Sequence, residues 1–419
     1  MTSRRDFVGD ATLLGVAFAF PGAEWRLTGA RGDRGIEGPG AQDAWAVLRE
    51  QFYIAPRGIY FNSGTIGASP RPVVEAVIRH MQAFETVFDA QGVDLAALRT
   101  AVGSLLGAPP HSFAFTRNTT EAMNWVAAGL ELEPGTEVLM TDHEHVGGRC
   151  PWEMNARRGR WTISRVPLPV PARSADEVME RWSRAITSRT RVAMISHVTF
   201  TNGLIQPVKD LCAMFRRQGI ITVIDGAHPP GMLRTDLTDL GCDFYCSSPH
   251  KWLLAPKGTG LLYISEPWLD RLWPTIASGG WDDLAAKGER FDRVGTRNDS
   301  LLAGFKAALE FHESIGRDRV ERRVRELGDR LYDGLVRLDG VEMKSPSDRR
   351  IRAPLVSFTV RGWNTDQLIQ ELWRRGPVRV RHVAEYDYHW VRLSTHVYNT
   401  ELEVDRVIGL VRELAGERR

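Results

Sequence analysis

The sequence predicts an α/β protein built on a mostly parallel sheet, with a smaller α+β unit toward its carboxyl end. From about residue 110 to 265, short runs of β-branched and aromatic residues alternate with stretches of helical periodicity. Beyond about residue 300 the pattern changes to long charged helices followed by mixed strands and helices. A chain of 419 residues exceeds what one hydrophobic core usually organises, which agrees with two units.

Seven short apolar segments supply the predicted strands of the large sheet. They are FAFT, EVLM, WTISRV, RVAMISHV, ITVIDG, FYCSS and GLLYI. Between them lie amphipathic stretches at 120–130, 146–159, 174–187 and 208–219, which are long enough to be crossover helices. Ligands of such sheets bind at the carboxyl ends of the strands, so we expect the functional site there.

The carboxyl-terminal unit is predicted from a different order of elements. Helices at 300–316 and 318–338 precede the strand APLVSFTV, a helix at 364–375, strands around 377–393 and a final helix from 401. Near the amino end, a helix at 70–90 follows the loop Asn62 to Ser69, whose glycines could approach a ligand closely. We therefore expect a large domain over 70–299 and a small domain over 300–419, with 31–69 contributing to the small domain and the site entrance.

Charge and hydropathy exclude several classes of partner. The formal net charge is +2, so the chain has no strong overall field to attract nucleic acid or an anionic membrane. No run of 18 apolar residues predicts a transmembrane helix, so we expect no stable membrane anchoring. The four cysteines form no CxxC pair and are expected to be buried, reduced thiols. A small-molecule substrate fits this composition best.

Residues 1–30 differ from the rest of the chain. The run SRRDFV precedes a mildly apolar stretch from Ala11 to Phe20 and resembles a twin-arginine export signal. Asp10 interrupts the apolar region, and the segment lacks a clean A-x-A cleavage site. Two localisations therefore stay open: periplasmic or exported if the segment is a signal, and cytoplasmic if it is not.

A rare lysine and a buried carboxylate point to the chemistry. Only six lysines stand against 48 arginines, and Lys251 directly follows a predicted strand. Asp225 closes the apolar run ITVIDG, where a carboxylate is costly unless it meets a cation or donors. A protonated pyridine nitrogen is such a cation, and a desolvated lysine can form a Schiff base and transfer protons. The pair favours pyridoxal 5′-phosphate (PLP), although Lys251 alone could be a surface lysine and Asp225 a turn residue.

An anion site is predicted where a helix begins. Thr119 and Thr120 lie between the strand FAFT and the helix EAMNWVAAGL, so hydroxyls and free backbone N–H groups meet at a helix N-terminus. Ser248 could add another hydroxyl for the phosphate of PLP. A plain helix N-cap, which needs no ligand, is the alternative.

Seven segments in order resemble one protein family. FAFTRNTTEA, TDHEHVGGRCPWE, SHVTFTNGLIQPVKDL, VIDGAHPPGML, SSPHKWLLAPKGTGLLY, GTRN and VRLSTHVYNT resemble the class V aminotransferase superfamily of fold-type I PLP enzymes. The isopenicillin N epimerase-like branch is the most similar, alongside the cysteine desulfurases, over roughly residues 57 to 415. The resemblance implies a fold-type I PLP-dependent transferase that acts on an amino acid.

The resemblance also implies roles for individual residues. Its catalytic set would be Lys251 as the Schiff-base lysine, Asp225 as the pyridine partner and His145 stacked on the ring. The other cofactor contacts would be His228 near the phenolic oxygen, His197 where many relatives have an asparagine, and a phosphate pocket of Thr119, Thr120, Ser248 and His250. Thr296 matches a residue that reaches the phosphate from the second subunit, which implies a homodimer with shared active sites.

Arg392 matches the family's substrate-carboxylate arginine, and Asn62 is assigned to the same substrate pocket. A planar guanidinium can bind a carboxylate through two parallel hydrogen bonds. With 48 arginines in the chain, a surface ion pair is the alternative for any single one, and Arg381 and Arg297 are weaker candidates. The pair His143-x-His145 lacks a third ligand at a plausible spacing, so we expect no metal site.

The resemblance leaves the reaction open. The stretch RVRHVAEYDYHWVR has no cysteine where desulfurases carry their sulfur-accepting residue, which disfavours a persulfide relay. Transamination, epimerisation and carbon–sulfur elimination remain, and an aminotransferase is the first hypothesis. A cofactor-free binding or scaffold protein on the same fold is the hypothesis from another class. A nucleotide-binding Rossmann enzyme is weakened by the lack of G-x-G-x-x-G after an early strand.

Overall fold

Strands and helices alternate along most of the chain. The structure, a computed structural model, describes residues 41–87 and 92–417, with side chains from residue 44 onward. The strands are β1 (Ile59–Tyr60), β2 (Phe113–Thr116), β3 (Glu137–Thr141), β4 (Thr162–Val166), β5 (Thr190–Ser196), β6 (Ile221–Asp225), β7 (Phe244–Ser247), β8 (Gly260–Ile264), β9 (Val341–Met343), β10 (Leu355–Val360), β11 (Val378–Arg379), β12 (Arg381–Val383) and β13 (Trp390–Ser394). The helices are α1 (Ala41–Arg49), α2 (Arg71–Val87), α3 (Leu95–Leu106), α4 (Thr119–Gly129), α5 (Val146–Arg157), α6 (Ala175–Ala185), α7 (Val208–Arg216), α8 (Leu237–Leu240), α9 (Asp299–Ile315), α10 (Arg317–Leu335), α11 (Thr365–Arg375) and α12 (Glu401–Glu417).

A seven-stranded sheet contains all seven strands predicted from the apolar segments. Its order is β2-β8-β7-β6-β5-β3-β4. The neighbours from β7 to β4 are parallel, while β8 runs antiparallel to both β2 and β7. Strands buried on both faces need near-continuous apolar runs, which is why most of these segments were recognisable in the sequence. The edge strand β4 is the exception, since it is partly exposed and contains polar residues. The predicted mostly parallel α/β sheet is confirmed.

Hydrophobic packing covers both faces of this sheet. Successive side chains of β5 point to opposite faces, and they divide between two core clusters. Ala193 and Ile195 pack in a cluster with Trp182 and Phe215. Met194 packs in the other cluster with Trp152. Helices on both sides therefore hold the sheet rigid, and with it the loops at its edge.

A second, antiparallel sheet has the order β12-β13-β10-β9. Helices α10, α11 and α12 supply its core through residues such as Leu327, Leu372 and Val411. The short parallel pair of β1 and β11 joins residues 59–60 to this region. The described residues pack as one compact unit, so the predicted division at residues 70 and 300 stays a prediction.

The loop from Asn62 to Ser69 lies against the turn that carries Lys251. The Gly67 N–H donates to the carbonyl oxygen of His250 at 2.9 Å. A Cβ atom on Gly67 would stand 1.9 Å from the carbonyl oxygen of Lys251, so only glycine permits this approach. We expected a loop glycine to approach a ligand closely. In the structure, Gly67 instead approaches the main chain of Lys251 and so holds that turn in place.

The described helices include none that is both long and apolar enough to span a bilayer. The predicted twin-arginine segment at residues 1–30 lies outside the described residues, and both localisations stay predictions.

Candidate active site

A cavity of about 310 Å³ opens at the carboxyl ends of the parallel strands. Its volume lies at the lower end of the range of small-molecule sites, roughly 300–1,000 Å³. Eight of the predicted site residues line it, together with the weaker candidate Arg381: Thr119, Thr120, His145, Asp225, Ser248, His250, Lys251 and Arg392. A larger cavity, of about 760 Å³, has mostly apolar walls such as Val77 and Trp373 and none of these residues. The smaller cavity is therefore the candidate active site.

Lys251 reaches the cavity from the turn after β7. Its backbone N–H donates to the Ser248 carbonyl at 3.0 Å, and its Nζ lies 3.4 Å from Nε2 of His228. Burial lowers the pKa of the Lys251 amine from 10.5 to about 8, against the opposing attraction of Asp225. About a tenth of the amine is therefore neutral at pH 7, far more than for an ordinary lysine, and only the neutral form can act as a nucleophile or general base.

Asp225 is the last residue of β6 and is buried. Its Oδ1 accepts a hydrogen bond from the Ala227 N–H at 3.0 Å. Burial raises the pKa of this carboxyl group, while Lys251 and the Ala227 N–H lower it. A Cβ atom on Gly148 would lie 2.9 Å from its Oδ2, so the glycine leaves room beside that oxygen. A cationic ligand placed there would offset the cost of burying the carboxylate.

His145 forms a wall of the cavity at the start of α5. Its Nδ1 accepts a hydrogen bond from the Gly147 N–H at 3.1 Å, and its ring meets Phe200 edge to face at 5.0 Å. Burial, together with the positive charges of Lys251 and Arg381, lowers the pKa of His145 to about 3. The imidazole is therefore neutral and held by its bond to the helix start, so it can stack on a planar ligand.

Hydroxyl groups meet at the N-terminus of α4. Ser248 Oγ accepts a hydrogen bond from the Thr119 N–H at 3.0 Å and lies 2.8 Å from Thr119 Oγ1. Thr120 lies beside Gly147, where an added Cβ atom would stand 2.3 Å from the Thr120 hydroxyl. His250 donates from Nδ1 to the Thr259 carbonyl at 3.0 Å. This side of the cavity combines hydroxyls with a helix N-terminus, which favours an anion such as a phosphate.

Arg392 is fully buried in β13, with 0% of its surface exposed. Its Nη1 donates to the Phe200 carbonyl at 2.7 Å and its Nη2 to Thr65 Oγ1 at 2.9 Å. Within residues 41–87 and 92–417, no carboxylate forms an ion pair with it, and Glu385 pairs with Arg381 instead. Burial lowers the pKa of the Arg392 guanidinium. A buried cation without a counter-ion favours a ligand carboxylate.

Three predicted site residues lie behind the cavity. Asn62 accepts a hydrogen bond from the Thr65 hydroxyl at 2.7 Å, so it acts through Thr65, which lines the cavity. His197 lies 3.1 Å from the Tyr245 hydroxyl, and burial lowers its pKa to about 4. His228 contacts the amine of Lys251. Direct contacts of Asn62 and His197 with a ligand stay predictions.

Two further candidates lie away from the cavity. Thr296 is exposed on the segment before α9, so its contact across a subunit interface, and the homodimer, stay predictions. Arg297 lies 3.7 Å from Asp292 and 3.2 Å from Asp299 and is engaged in those ion pairs. It was a weak candidate for the substrate pocket and has no place in it.

Sequence reasoning missed residues that shape the cavity without carrying chemistry. Thr65 bonds to Arg392, and Gly147 and Gly148 leave the space beside Thr120 and Asp225. The Gly-Gly pair at the start of a predicted helix was an available signal, because glycine is unfavourable within helices. Thr65 gave no signal, since its role depends on a contact with a strand more than 300 residues away.

His143 serves packing. Its Nδ1 lies 2.6 Å from the Thr201 hydroxyl, and its ring stacks on Tyr388 at 5.1 Å. Among the residues that the structure describes, no group of three or more His, Cys, Asp or Glu side chains is arranged to hold a metal ion.

Comparisons with known proteins place the chain among PLP enzymes. Residues 75–407 match the profile of the family described as Aminotransferase class-V. Isopenicillin N epimerase of Amycolatopsis lactamdurans is 35% identical, over 89% of this chain and 99% of its own length. A probable cysteine desulfurase of Xylella fastidiosa is 28% identical, over 90% of this chain and 98% of its own length. A solved structure of a C-DES mutant, with glycine covalently linked to its PLP cofactor, has a TM-score of 0.78 and 26% identity over 87% of this chain and 99% of its own.

The residues of the cavity fit PLP. Lys251 can hold its aldehyde carbon, Asp225 its pyridine nitrogen, and Thr119 with Ser248 its phosphate. The glycine at 148 leaves space beside the carboxylate, as a ring nitrogen there requires. The amine, the carboxylate and the hydroxyl cluster all line the same cavity.

Replacing Ser248 with alanine should weaken PLP binding about tenfold or more. The change removes the acceptor of the Thr119 N–H and one hydroxyl of the anion site, and a hydrogen bond to a charged group contributes about 1.5–3 kcal/mol. Titration of the cofactor-free protein with PLP measures the effect. Ser314→Ala, which removes a hydroxyl bonded to the Phe311 carbonyl on α9, is the matched control. Equal PLP affinities of both variants would contradict the assignment.

Proposed function

The chain belongs to the class-V aminotransferase family, and we propose that it epimerises an amino acid at its α-carbon, with Lys251 moving the proton. Its fold is that of the fold-type I PLP enzymes and its cofactor is PLP. The observation that carries the proposal is the position of Lys251, whose amine has a pKa of about 8 and shares the cavity with Asp225 and Arg392. In the part of the chain that the structure describes, no carboxylate forms an ion pair with the Arg392 guanidinium.

Each of these groups has a separate task. Bound PLP supplies an electron sink that stabilises negative charge on the α-carbon of an attached amino acid. Asp225, buried at the end of β6, holds the charge of the pyridine nitrogen that makes the sink effective. Arg392 binds the α-carboxylate and so orients the α-carbon. Lys251, partly neutral near pH 8, can remove the proton from one face of the α-carbon at Nζ. Inversion then requires a proton delivered to the opposite face, from water or a second acid.

Support for epimerisation over other outcomes comes from the relatives and from the loop that precedes Arg392. The 35% identical relative is named an epimerase. The loop between β12 and β13 has no cysteine, and its Tyr386 hydroxyl donates to the Glu144 carbonyl at 2.6 Å. Cys212, Cys242 and Cys246 are buried as expected, whereas Cys150 is exposed, and none of the four lines the cavity. A persulfide relay through this loop is therefore disfavoured.

Transamination and carbon–sulfur elimination stay alternatives, because they begin with removal of the same proton. A cofactor-free scaffold is disfavoured, since such a protein gains nothing from a buried lysine, aspartate and arginine around one cavity. Each of those groups lowers stability when it is buried without a ligand.

Incubation of the PLP-loaded enzyme with L- and D-amino acids in deuterium oxide tests the proposal. We expect uptake of deuterium at the α-carbon together with inversion, measured by mass spectrometry and chiral chromatography. Lys251→Ala should reduce exchange by at least about 10²–10⁴-fold, the usual contribution of a general acid–base group. Lys209→Ala, which removes an exposed lysine paired with Asp239, is the control.

The products distinguish the alternatives. Accumulation of a keto acid would replace the proposal with transamination, and pyruvate with a released thiol would replace it with elimination. A Lys251→Ala enzyme as active as the parent would contradict the whole assignment.

Arg392→Gln should raise KM for the amino acid about 10- to 100-fold. The change removes the charged hydrogen bonds to the α-carboxylate, which are worth about 1.5–3 kcal/mol. PLP affinity should change little, because the residues assigned to PLP contacts are other side chains. The exposed Arg350→Gln serves as the control. An unchanged KM would exclude Arg392 as the carboxylate site.

A further inference from the structure

His228 lies between the lysine of the site and a buried tryptophan. The Nε1–H of Trp252 donates to Nδ1 of His228 at 3.1 Å. On the other side of the ring, Nε2 of His228 lies 3.4 Å from Nζ of Lys251. Trp252 directly follows Lys251 in the chain, so one turn supplies both ends of this arrangement.

We propose that Trp252 is a positioning residue whose indole N–H fixes the tautomer of His228, so that His228 presents a hydrogen-bond donor to Lys251. An indole nitrogen can only donate, so Nδ1 of His228 must be the unprotonated nitrogen. A neutral imidazole then carries its hydrogen on Nε2, the atom that faces Nζ.

The surroundings keep His228 neutral. Burial lowers its pKa well below 6.5, and the positive charge of Lys251 lowers it further. The other groups that lower it are Arg392, His145 and Arg381. With its hydrogen on Nε2, His228 can only donate a hydrogen bond to Nζ of Lys251. Only the neutral amine has a lone pair to accept that bond, so this tautomer favours the neutral form. The opposite tautomer, with its hydrogen on Nδ1, would accept a hydrogen bond at Nε2 from the ammonium form of Lys251. It would therefore favour the charged form of the lysine.

Contacts that do not involve His228 hold the indole in place. Trp252 is 0% exposed, and its ring stacks on His396 at 5.5 Å. His396 donates from Nε2 to the Trp252 carbonyl at 2.9 Å and accepts from the Val397 N–H at 2.8 Å. A Cβ atom on Gly231 would stand 2.4 Å from the Trp252 carbonyl oxygen. Because these contacts fix the indole ring, the direction of its N–H does not depend on His228.

This inference deepens the proposed function, since it rests on Lys251 as the cofactor lysine. The family resemblance places the phenolic oxygen of PLP near His228. An Nε2–H there would donate to that oxygen, and the same tautomer would serve both the free and the loaded enzyme. Both readouts of the test below are taken without substrate, so they stand whether or not epimerisation is found.

The first readout is the tautomer itself. The full-length chain is labelled with ¹⁵N in its histidine rings, and long-range ¹H–¹⁵N spectra are recorded with and without PLP; His228→Gln assigns the signal. We expect hydrogen on Nε2 in the parent protein and a change toward Nδ1 in Trp252→Phe. Trp161→Phe, which removes an indole N–H bonded to the Trp152 carbonyl at the opposite edge of the sheet, should match the parent.

The second readout is the pKa of Lys251 in the protein stripped of PLP. Labelling with acetic anhydride at pH values around 8, followed by mass spectrometry of the Lys251 peptide, gives its midpoint. In Trp252→Phe the pKa should rise by about one unit, which slows labelling near neutral pH about tenfold. The other charged groups near the amine are Asp225, Arg381 and Arg392. They are the same in the parent and in Trp252→Phe, so they do not account for a difference in the pKa of Lys251.

Two results would overturn the inference. One is hydrogen on Nδ1 of His228 in the parent protein, a result that stands even if Trp252→Phe does not fold. The other is a folded Trp252→Phe variant that keeps both the Nε2 tautomer and the parent pKa of Lys251.

Discussion

The site depends on burying one lysine amine at the edge of a rigid sheet, close to a buried carboxylate and a buried guanidinium. Burial lowers the pKa of Lys251 to about 8, Asp225 opposes that effect, and Arg392 adds to it. Without a ligand, each of these charged groups is unfavourably placed. PLP brings an aldehyde for the lysine and a basic ring nitrogen for the aspartate, and its amino-acid substrate brings a carboxylate for the arginine. Bound together, they would offset the unfavourable burial of all three groups. The same arrangement therefore gives both the affinity for PLP and the reactivity.

The fold provides this arrangement through parallel strands that end at one edge. Asp225 ends β6 and Lys251 follows β7, its neighbour in the sheet. The loop with Gly67 closes against the Lys251 turn, and Arg392 enters from the second sheet. The cavity thus collects residues from distant parts of the chain, and its geometry depends on how the two sheets pack.

The sequence predicted the sheet because most of its strands are near-continuous apolar runs, and it predicted Asp225 and Lys251 because Asp225 ends one such run and Lys251 follows shortly after another. It could not predict what lies behind the cavity. Thr65 bonds to Arg392 across a separation of 327 residues, and no local pattern reports such a contact. The partnership of Trp252 and His228 likewise depends on a turn geometry that propensity does not specify.

Borohydride reduction of the PLP-loaded protein, followed by mass spectrometry of its peptides, tests the central claim most directly. Reduction makes the bond between PLP and its lysine permanent, so the modified residue can be identified among the six lysines of the chain. The account predicts the added mass on the peptide that contains Lys251 and on no other peptide. Modification of a different lysine, or loaded protein in which Lys251 stays unmodified, would contradict it.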